Sequence, residues 1–179
     1  MVSRSRQKSR RTKKAILFVG EGPTEKAFLQ HLQQMYITRD MNIVVKVESG
    51  SGGSPRSVIE KAIRLRSSRS YDQCFVLIDK DLPFAPAGEL KKRMRKKLRI
   101  EILNATPCIE GLFLAILNPR FSQQSKSTDF CKSAFEGKYI SQHKKSDKRS
   151  YEKIFSKQIL DERRQNVVEL DAILRAMGV

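Results

Sequence analysis

The chain has 179 residues, of which 36 are Lys or Arg and 19 are Asp or Glu, so its formal charge is +17. This length suits one domain with appendages. The longest unbroken apolar run, Leu112 to Leu117, is far shorter than the roughly 20 residues that span a bilayer. The apolar stretch Ala15 to Val19 is also too short for the core of an export signal, and the three cysteines are widely spaced. We therefore expect a cytoplasmic protein without a membrane anchor, a disulfide framework or a zinc finger.

The positive charge is concentrated in three segments. Residues 1–14 contain seven basic residues and no acidic one, and with almost no apolar residues they are predicted to form a disordered arm. Residues 91–99 contain seven more, and residues 138–164 contain nine basic residues against four acidic ones. Such surfaces bind polyanions through counterion release. We therefore expect nucleic acid, DNA or RNA, as partner or substrate, with an acidic protein partner or simple solubility as the alternatives.

Short apolar runs alternate with segments of helical periodicity along residues 15–118. The run Ala15 to Val19 is continuous, as in a strand buried on both faces of a parallel sheet. Phe28, Leu32 and Met35 recur at the spacing of a helix. The alternation predicts an α/β domain with a mostly parallel, four-stranded sheet flanked by helices. The predicted strands are at 15–19, 41–47, 74–78 and 99–103, and the predicted helices are at 23–36, after Ser54, at 88–97 and at 110–117.

The composition changes after Pro119. Residues 119–150 are polar, and two helical stretches follow, around Tyr151–Leu160 and Asp161–Met177. We interpret residues 119–179 as a polar linker and a C-terminal α-helical appendage. The expected organisation is thus a basic arm at 1–14, an α/β domain at 15–118 and this C-terminal region.

Carboxylates follow two of the predicted strands. Glu21 comes after the first strand, and Asp79 and Asp81 come after the third. Ligands of open α/β sheets bind outside the carboxyl ends of the strands, and residues i and i+2 of an extended segment point to the same side. Repulsion between crowded carboxylates is relieved by a hard cation, and Mg²⁺ binds one or two carboxylates together with waters and phosphate oxygens. The pattern predicts a Mg²⁺ site, with Mn²⁺ as a substitute; the alternative is an acidic pair that caps a turn.

The segment between the first strand and the first helix has two interpretations. Thr24 and Glu25 can simply favour the start of a helix. Alternatively, the helix start offers backbone N–H groups to a phosphate while Glu21 points toward a metal.

The sequence E-G-P-T-E after an apolar strand, followed by an apolar strand that ends in D-x-D, resembles the TOPRIM domain of topoisomerases, primases and OLD-type nucleases. Ser49 to Ser57 and Thr106 to Glu110, with the hydrophobic helix behind them, resemble the RloB-like family, whose members are linked to bacterial restriction and phage-defence loci. The similarity covers roughly residues 11–118. It implies a TOPRIM-like Rossmannoid fold and a Mg²⁺-dependent nuclease that cleaves phosphodiester bonds.

The resemblance also implies roles for individual residues. Glu21 becomes a general acid/base or a metal-linked carboxylate, and Asp79 and Asp81 become the metal ligands. Glu110 matches a family motif in which Ile109 replaces an aromatic residue, and it is expected to help bind a second metal. The supporting residues are Gly22, Thr24 and Glu25.

Two features depart from the pattern of the family. Gly20 stands where a β-branched residue is commoner, which is expected to loosen the backbone beside Glu21. The ATPase domain of the OLD type is not found in these 179 residues, so an ATPase or another defence-system protein is a candidate partner.

Two segments are predicted to bind phosphates. After the D-x-D strand, Lys92, Arg95 and Arg99 recur at i, i+3 and i+7, which lines them along one face of a helix. Met94 and Leu98 supply an apolar strip, so this helix could instead merely cover the sheet. The arm contributes Arg10, Arg11, Lys13 and Lys14. The alternative to a nuclease is a non-catalytic nucleic-acid-binding or scaffold protein that has kept the fold.

Overall fold

The structure, a computed structural model, describes residues 13–50, 52–81 and 84–179. It is an α/β fold with a four-stranded, all-parallel sheet in the order β2-β1-β3-β4, which confirms the predicted fold class. Each strand begins and ends within two residues of its predicted bounds. Most of the predicted arm, including Arg10 and Arg11, lies outside the described residues. The strands are β1 (Lys14–Gly20), β2 (Ile43–Ser49), β3 (Gln73–Asp79) and β4 (Ile100–Ala105).

Helices connect the strands and continue to the C-terminus. A π-helical segment, Arg93–Leu98, continues α3, and short 3₁₀ turns lie at Gln123–Ser125 and Gln142–Lys144. None of the helices in the described ranges has the length and apolar character needed to cross a membrane. The α-helices are α1 (Pro23–Tyr36), α2 (Pro55–Ser68), α3 (Gly88–Lys92), α4 (Ile109–Leu117), α5 (Thr128–Lys138), α6 (Lys148–Glu152), α7 (Lys157–Arg164) and α8 (Val168–Met177).

The alternation of side chains along the strands divides the core into two layers. Ile16 and Phe18 of β1 point into the layer formed with α1, α4 and the C-terminal helices. Leu17 and Val19 point into the opposite layer, formed with α2 and the π-helical segment. Cys74, which opens the most apolar strand, is fully buried in this second layer, as its position predicts, and burial raises the pKa of its thiol to about 12.

Four aromatic rings join the C-terminal helices to α1 and α4. The ring of Phe113 in α4 lies 4.8 Å from Phe28 of α1 and 5.4 Å from Tyr151 of α6, measured between centroids. Phe155, between α6 and α7, lies 5.4 Å from Phe28. Buried aromatic pairs at these distances add to the stabilisation that comes from burial. The residues after Pro119 therefore complete the first layer of the core.

The helix boundaries after Pro119 differ from the predicted ones. The polar stretch contains α5, which begins where the Ser127 side chain accepts a hydrogen bond from the Phe130 N–H at 3.2 Å and which buries Cys131 and Phe135. The predicted helix at 151–160 is wrong, because a second helix begins within it. The Ser156 hydroxyl caps α7 by accepting from the Ile159 N–H at 3.3 Å. The predicted helix at 161–177 is likewise divided, since α7 ends at Arg164 and α8 begins at Val168.

The basic segment after β3 is helical but not a single α-helix. A π-helix closes i→i+5 hydrogen bonds, so the α-helical spacing that was expected to align Lys92, Arg95 and Arg99 does not hold beyond Lys92. Arg99 lies past the last turn with a left-handed backbone, φ 49° and ψ 54°. Met94 is buried and Leu98 packs against the second layer of the core, so the predicted apolar strip is confirmed.

Candidate functional site

An acidic pocket of about 220 Å³ lies at the carboxyl edge of the sheet. Its wall includes Glu21 after β1, Asp79 at the end of β3, Glu25 in α1 and Glu110 in the first turn of α4. The register of the sheet explains this placement, since Gly20 pairs with Leu77 and the ends of β1 and β3 lie side by side. The pocket occupies the edge at which parallel α/β sheets bind their ligands.

Backbone hydrogen bonds hold Glu21 and Asp79 together. The Oε2 atom of Glu21 accepts a hydrogen bond from the Asp79 N–H at 3.2 Å, and the Oδ1 atom of Asp79 accepts one from the Ile109 N–H at 2.9 Å. The end of β3 thus positions Glu21, and the start of α4 positions Asp79. These two residues, which were expected to share a site, lie in contact.

Glu25 is fixed at the start of α1. Its Oε2 atom accepts a hydrogen bond from the Gly22 N–H at 2.6 Å, which satisfies a backbone donor at the beginning of the helix. A Cβ atom at Gly20 would lie only 2.6 Å from the Glu25 Cβ. Gly20 is buried and paired in the sheet on both sides. The glycine therefore allows α1 to approach β1 closely. The backbone beside Glu21 was expected to be loosened by Gly20, but Gly20 is instead packed against α1 and paired in the sheet.

Asp81 is near Glu21 and Asp79, since, in addition to burial, its charge raises the pKa values of both carboxyl groups. It is exposed and does not line the pocket, whereas Gly22 and Thr24 do. Within residues 13–50, 52–81 and 84–179, no three or more Asp, Glu, His or Cys side chains are close enough to hold a metal ion together. The metal-ligand roles of Glu21, Asp79 and Asp81 stay predictions.

Two lysines that the sequence patterns did not single out complete the pocket. Lys132 reaches it from α5, and Lys145 reaches it from the segment before α6. The Nζ atom of Lys145, a residue only 9% exposed, donates to Glu110 Oε1 at 2.7 Å and to Glu136 Oε1 at 2.6 Å. The other oxygen of Glu110, Oε2, is buried and has no hydrogen-bond partner among the described residues. Glu110, the expected ligand of a second metal, therefore binds an ammonium group with one oxygen, and its other oxygen has no partner in the described part of the chain.

Burial and mutual repulsion favour the protonated forms of the acids in the pocket. Burial raises the pKa of Asp79 to about 8, and the charges of Glu25 and Glu21 add to the effect. Burial also raises the pKa values of Glu21 and Glu25. Although burial acts to lower the pKa of Lys145, its hydrogen bonds to Glu110 and Glu136 raise that pKa above its ordinary value. The pocket thus favours a proton or a cation beside Asp79.

The chemistry of these groups fits Mg²⁺. The candidate ligands are carboxylate oxygens, which Mg²⁺ prefers, and the ion uses one or two carboxylates while keeping several waters. Glu21 and Asp79 are the residues that would hold it. The buried Glu110 Oε2, which lacks a partner within the described part of the chain, is a further oxygen on the same pocket.

Most of the basic residues that were predicted to bind nucleic acid lie away from this pocket. Lys13 and Lys14 are exposed at the amino end of β1, and Arg99 directly precedes the amino end of β4. The seven-residue strand β1 separates these two edges of the sheet by roughly 20 Å. Lys92 is exposed and pairs with Glu89 at 2.7 Å, and Arg95 is exposed. The positive charge inside the pocket comes instead from Lys132 and Lys145.

Comparison with known proteins gives one match. The model of the RloB-like protein family matches residues 16–177, which include all the residues around the acidic pocket. None of the curated proteins and none of the solved structures compared with the chain matches it. Because the match extends over most of the chain, the protein belongs to the RloB-like family.

Proposed function

We propose that this protein is a Mg²⁺-dependent nuclease of the TOPRIM type, which cleaves phosphodiester bonds as part of a bacterial phage-defence or restriction-associated system. The observation that carries the proposal is the contact between Glu21 and Asp79 at the carboxyl edge of the sheet. The likeness of the E-G-P-T-E and D-x-D motifs to TOPRIM domains supports it, as does the charge of +17. Mn²⁺ is the expected substitute for Mg²⁺, and an ATPase or another defence-system protein is the expected protein partner.

Each residue of the pocket has a separate role in the proposed hydrolysis. When bound, Mg²⁺ would neutralise charge on the phosphate and lower the pKa of a bound water. Glu21 and Asp79 would hold the ion, and the hydrogen bond from the Ile109 N–H keeps the Asp79 carboxylate oriented in advance. Lys132 would place positive charge beside the substrate phosphate. Lys145 holds Glu110 in position from the opposite wall.

A cleavage assay with a matched pair of variants tests this proposal. The protein is incubated with single- and double-stranded DNA and RNA in Mg²⁺, Mn²⁺ or EDTA, beside Asp79→Asn and Glu101→Gln. Glu101 is an exposed carboxylate near the amino end of β4, so its replacement controls for the loss of a charge. We expect metal-dependent cleavage that falls about 100-fold or more in Asp79→Asn and is retained in Glu101→Gln. Undiminished cleavage by Asp79→Asn would refute the proposal.

The second candidate is a non-catalytic nucleic-acid-binding protein. It is favoured by the ion pair between Lys145 and Glu110, which neutralises one carboxylate without a metal. This candidate predicts binding in EDTA, no cleavage with any metal, and equal binding by the wild type and Asp79→Asn.

Both candidates leave a role for the exposed basic residues. If Lys92, Arg95 and Arg99 contact phosphates, replacing all three by Ala lowers the slope of log K against log[salt] by about 0.7–0.9 for each lost contact. An unchanged slope would exclude these residues from the interface.

A further inference from the structure

A larger groove of about 1150 Å³ lies along β4, the last strand in the order of the described sheet. Ile102, Leu103 and Asn104 of β4 line one side of it. Lys80, which directly follows Asp79, lines it near the carboxyl ends of the strands. The opposite side comes from residues around the 3₁₀ turn at 123–125 and from α7 and α8.

The backbone of β4 faces this groove with groups that no other strand of the described sheet uses. The Lys80 N–H donates to the Ala105 carbonyl at 2.9 Å, so Ala105 faces β3. Because the backbone direction alternates along a strand, the N–H and C=O groups of Ile102 and Asn104 face away from β3. β4 ends the order of strands in the described sheet. The groove therefore has main-chain donors and acceptors along one side.

Two buried side-chain atoms in the wall of the groove lack a hydrogen-bond partner among the described residues. They are the acceptor Oε1 of Gln123, a residue that is 9% exposed, and the donor Nε of Arg163. A buried polar atom without a partner destabilises the protein, because it has lost its hydrogen bonds to water. One orphan is an acceptor and the other a donor, so this wall of the groove has unmet hydrogen-bonding capacity of both kinds.

The remaining lining residues indicate a nucleic-acid ligand. The exposed amides of Asn104, Gln124 and Asn166 can donate and accept in the plane of a base edge. Phe121 is half-buried in the groove and has the type of ring on which bases stack. Three cationic side chains against one acidic one give the groove a positive balance: Lys80, Arg120 and Arg163 against Glu169.

We propose that this groove binds an unpaired stretch of the nucleic-acid substrate and leads it to the acidic pocket; the link to cleavage rests on the proposed function. Unpaired bases expose their Watson–Crick edges to the amides and the open backbone of β4, whereas a duplex has those edges paired. Lys80 and Arg120 would contact the phosphates. A second copy of this chain is a poor occupant, because each copy carries a charge of +17.

The test measures the ratio of single-strand to duplex affinity. Fluorescence anisotropy in EDTA records the binding of a 20-nucleotide DNA strand, its RNA equivalent and the 20-base-pair DNA duplex. The groove variant combines Arg120→Ala, Gln124→Ala and Asn166→Ala, all at exposed positions. The control combines Arg149→Ala and Lys153→Ala, which are exposed and do not line the groove.

We expect the groove variant to bind single strands at least tenfold more weakly and the duplex less than threefold more weakly, with an unchanged melting temperature. The control variant is expected to weaken both ligands by the same factor. A groove variant with an unchanged ratio would overturn the inference. The inference would also be overturned if the groove variant lost affinity for a poly-glutamate peptide but kept its affinity for the oligonucleotides. That result would assign the groove to an acidic peptide that pairs with β4.

The outcomes separate this inference from the proposed function. If the groove variant lowers the ratio of single-strand to duplex affinity but no substrate is cleaved with Mg²⁺ or Mn²⁺, the nuclease proposal fails and the groove inference is supported. If cleavage requires Asp79 but the ratio is unchanged, the nuclease proposal stands and the groove inference fails.

Discussion

The missing side chain of Gly20 determines how closely α1 approaches β1. Because an added Cβ would lie 2.6 Å from the Glu25 Cβ and 3.1 Å from the Lys26 nitrogen, Gly20→Ala must push the start of α1 away from the strand. We expect this variant to lose about 1–3 kcal/mol in the free energy of unfolding, which is typical of overpacking, and to bind Mg²⁺ more weakly because Glu25 and Glu21 shift. Urea denaturation and Mg²⁺ titration measure the two effects.

Gly137 provides the control for that substitution. A Cβ there would meet nothing within 4 Å, and the residue lies in α5. Gly137→Ala is therefore expected to stabilise the protein by up to about 1 kcal/mol, since alanine favours the helix. If the two substitutions shifted stability in the same direction, the close approach at Gly20 would not be the cause.

Asp79 makes the stability of the protein depend on pH. Its pKa is about 8 in the folded state against an ordinary 3.8, so between these values the folded state keeps a proton that the unfolded chain has lost. Stability then falls as pH rises from about 4 to about 8. Asn cannot ionise and can still accept from the Ile109 N–H. We therefore expect Asp79→Asn to melt higher than the wild type at pH 7.5, by about 2–4 °C for each kcal/mol gained, with no difference below pH 4.

Mg²⁺ provides the control for the Asp79 prediction, because binding at the proposed site would stabilise the ionised carboxylate. Saturating Mg²⁺ is expected to raise the melting temperature of the wild type more than that of Asp79→Asn. The difference in melting temperature between the two proteins then becomes smaller. A variant that melts lower than the wild type at pH 7.5 without metal would contradict the assigned electrostatics.

The positions of the site residues could be predicted only in part from the sequence. Glu21 and Asp79 follow continuous apolar runs, and the carboxyl ends of parallel strands meet at one edge, so their proximity follows from the pattern. Lys145 could not be identified in this way. It is one of nine basic residues within 138–164, and its position beside Glu110 depends on how α5 and α6 pack on α4.

At the level of elements, the sequence predicted those helices that begin with a clear local signal. Pro23 begins α1, and Ser54 caps α2 by accepting from the Ser57 N–H at 3.3 Å. The helix α5 has a weaker signal, since only Cys131 and Phe135 are buried in it and most of its other residues are polar. Its burial comes from α4, so it arises from tertiary packing that no local pattern shows.

The end of the π-helical segment holds a backbone conformation that suits glycine. Arg99 has φ 49° and ψ 54°, and a residue with a Cβ pays about 1–2 kcal/mol for this left-handed region. We expect Arg99→Gly to be more stable than Arg99→Ala by about 1 kcal/mol in urea denaturation. Both variants remove the charge, so both are expected to weaken nucleic-acid binding equally. Equal stability of the two variants would mean that Arg99 is not strained.

At the scale of the whole molecule, the aromatic contacts predict a single unfolding transition. Phe155 is fully buried against Phe28 and Phe113, so Phe155→Ala is expected to cost about 3–5 kcal/mol, a large share of a typical total of about 5–15 kcal/mol. Circular dichroism and tyrosine fluorescence should give coincident curves, because one core layer contains both halves of the chain.

Phe130 serves as the matched control for Phe155. Its side chain is 47% exposed, so Phe130→Ala is expected to change stability by no more than about 0.5 kcal/mol. Two separate transitions, or a small effect of Phe155→Ala, would show that residues 119–179 fold as an independent unit.

The order of the strands has a consequence for the protein as it is being synthesised. The central strand β1 is synthesised about 150 residues before α8, which helps cover the same core layer. At about 5–20 residues per second, the interval between the two is on the order of 10–30 seconds. Ile16 and Phe18 cannot be covered completely during that time, and apolar strands exposed in this way aggregate. We therefore expect co-translational folding to need protection of the central strand, for example by a chaperone, until α8 has emerged.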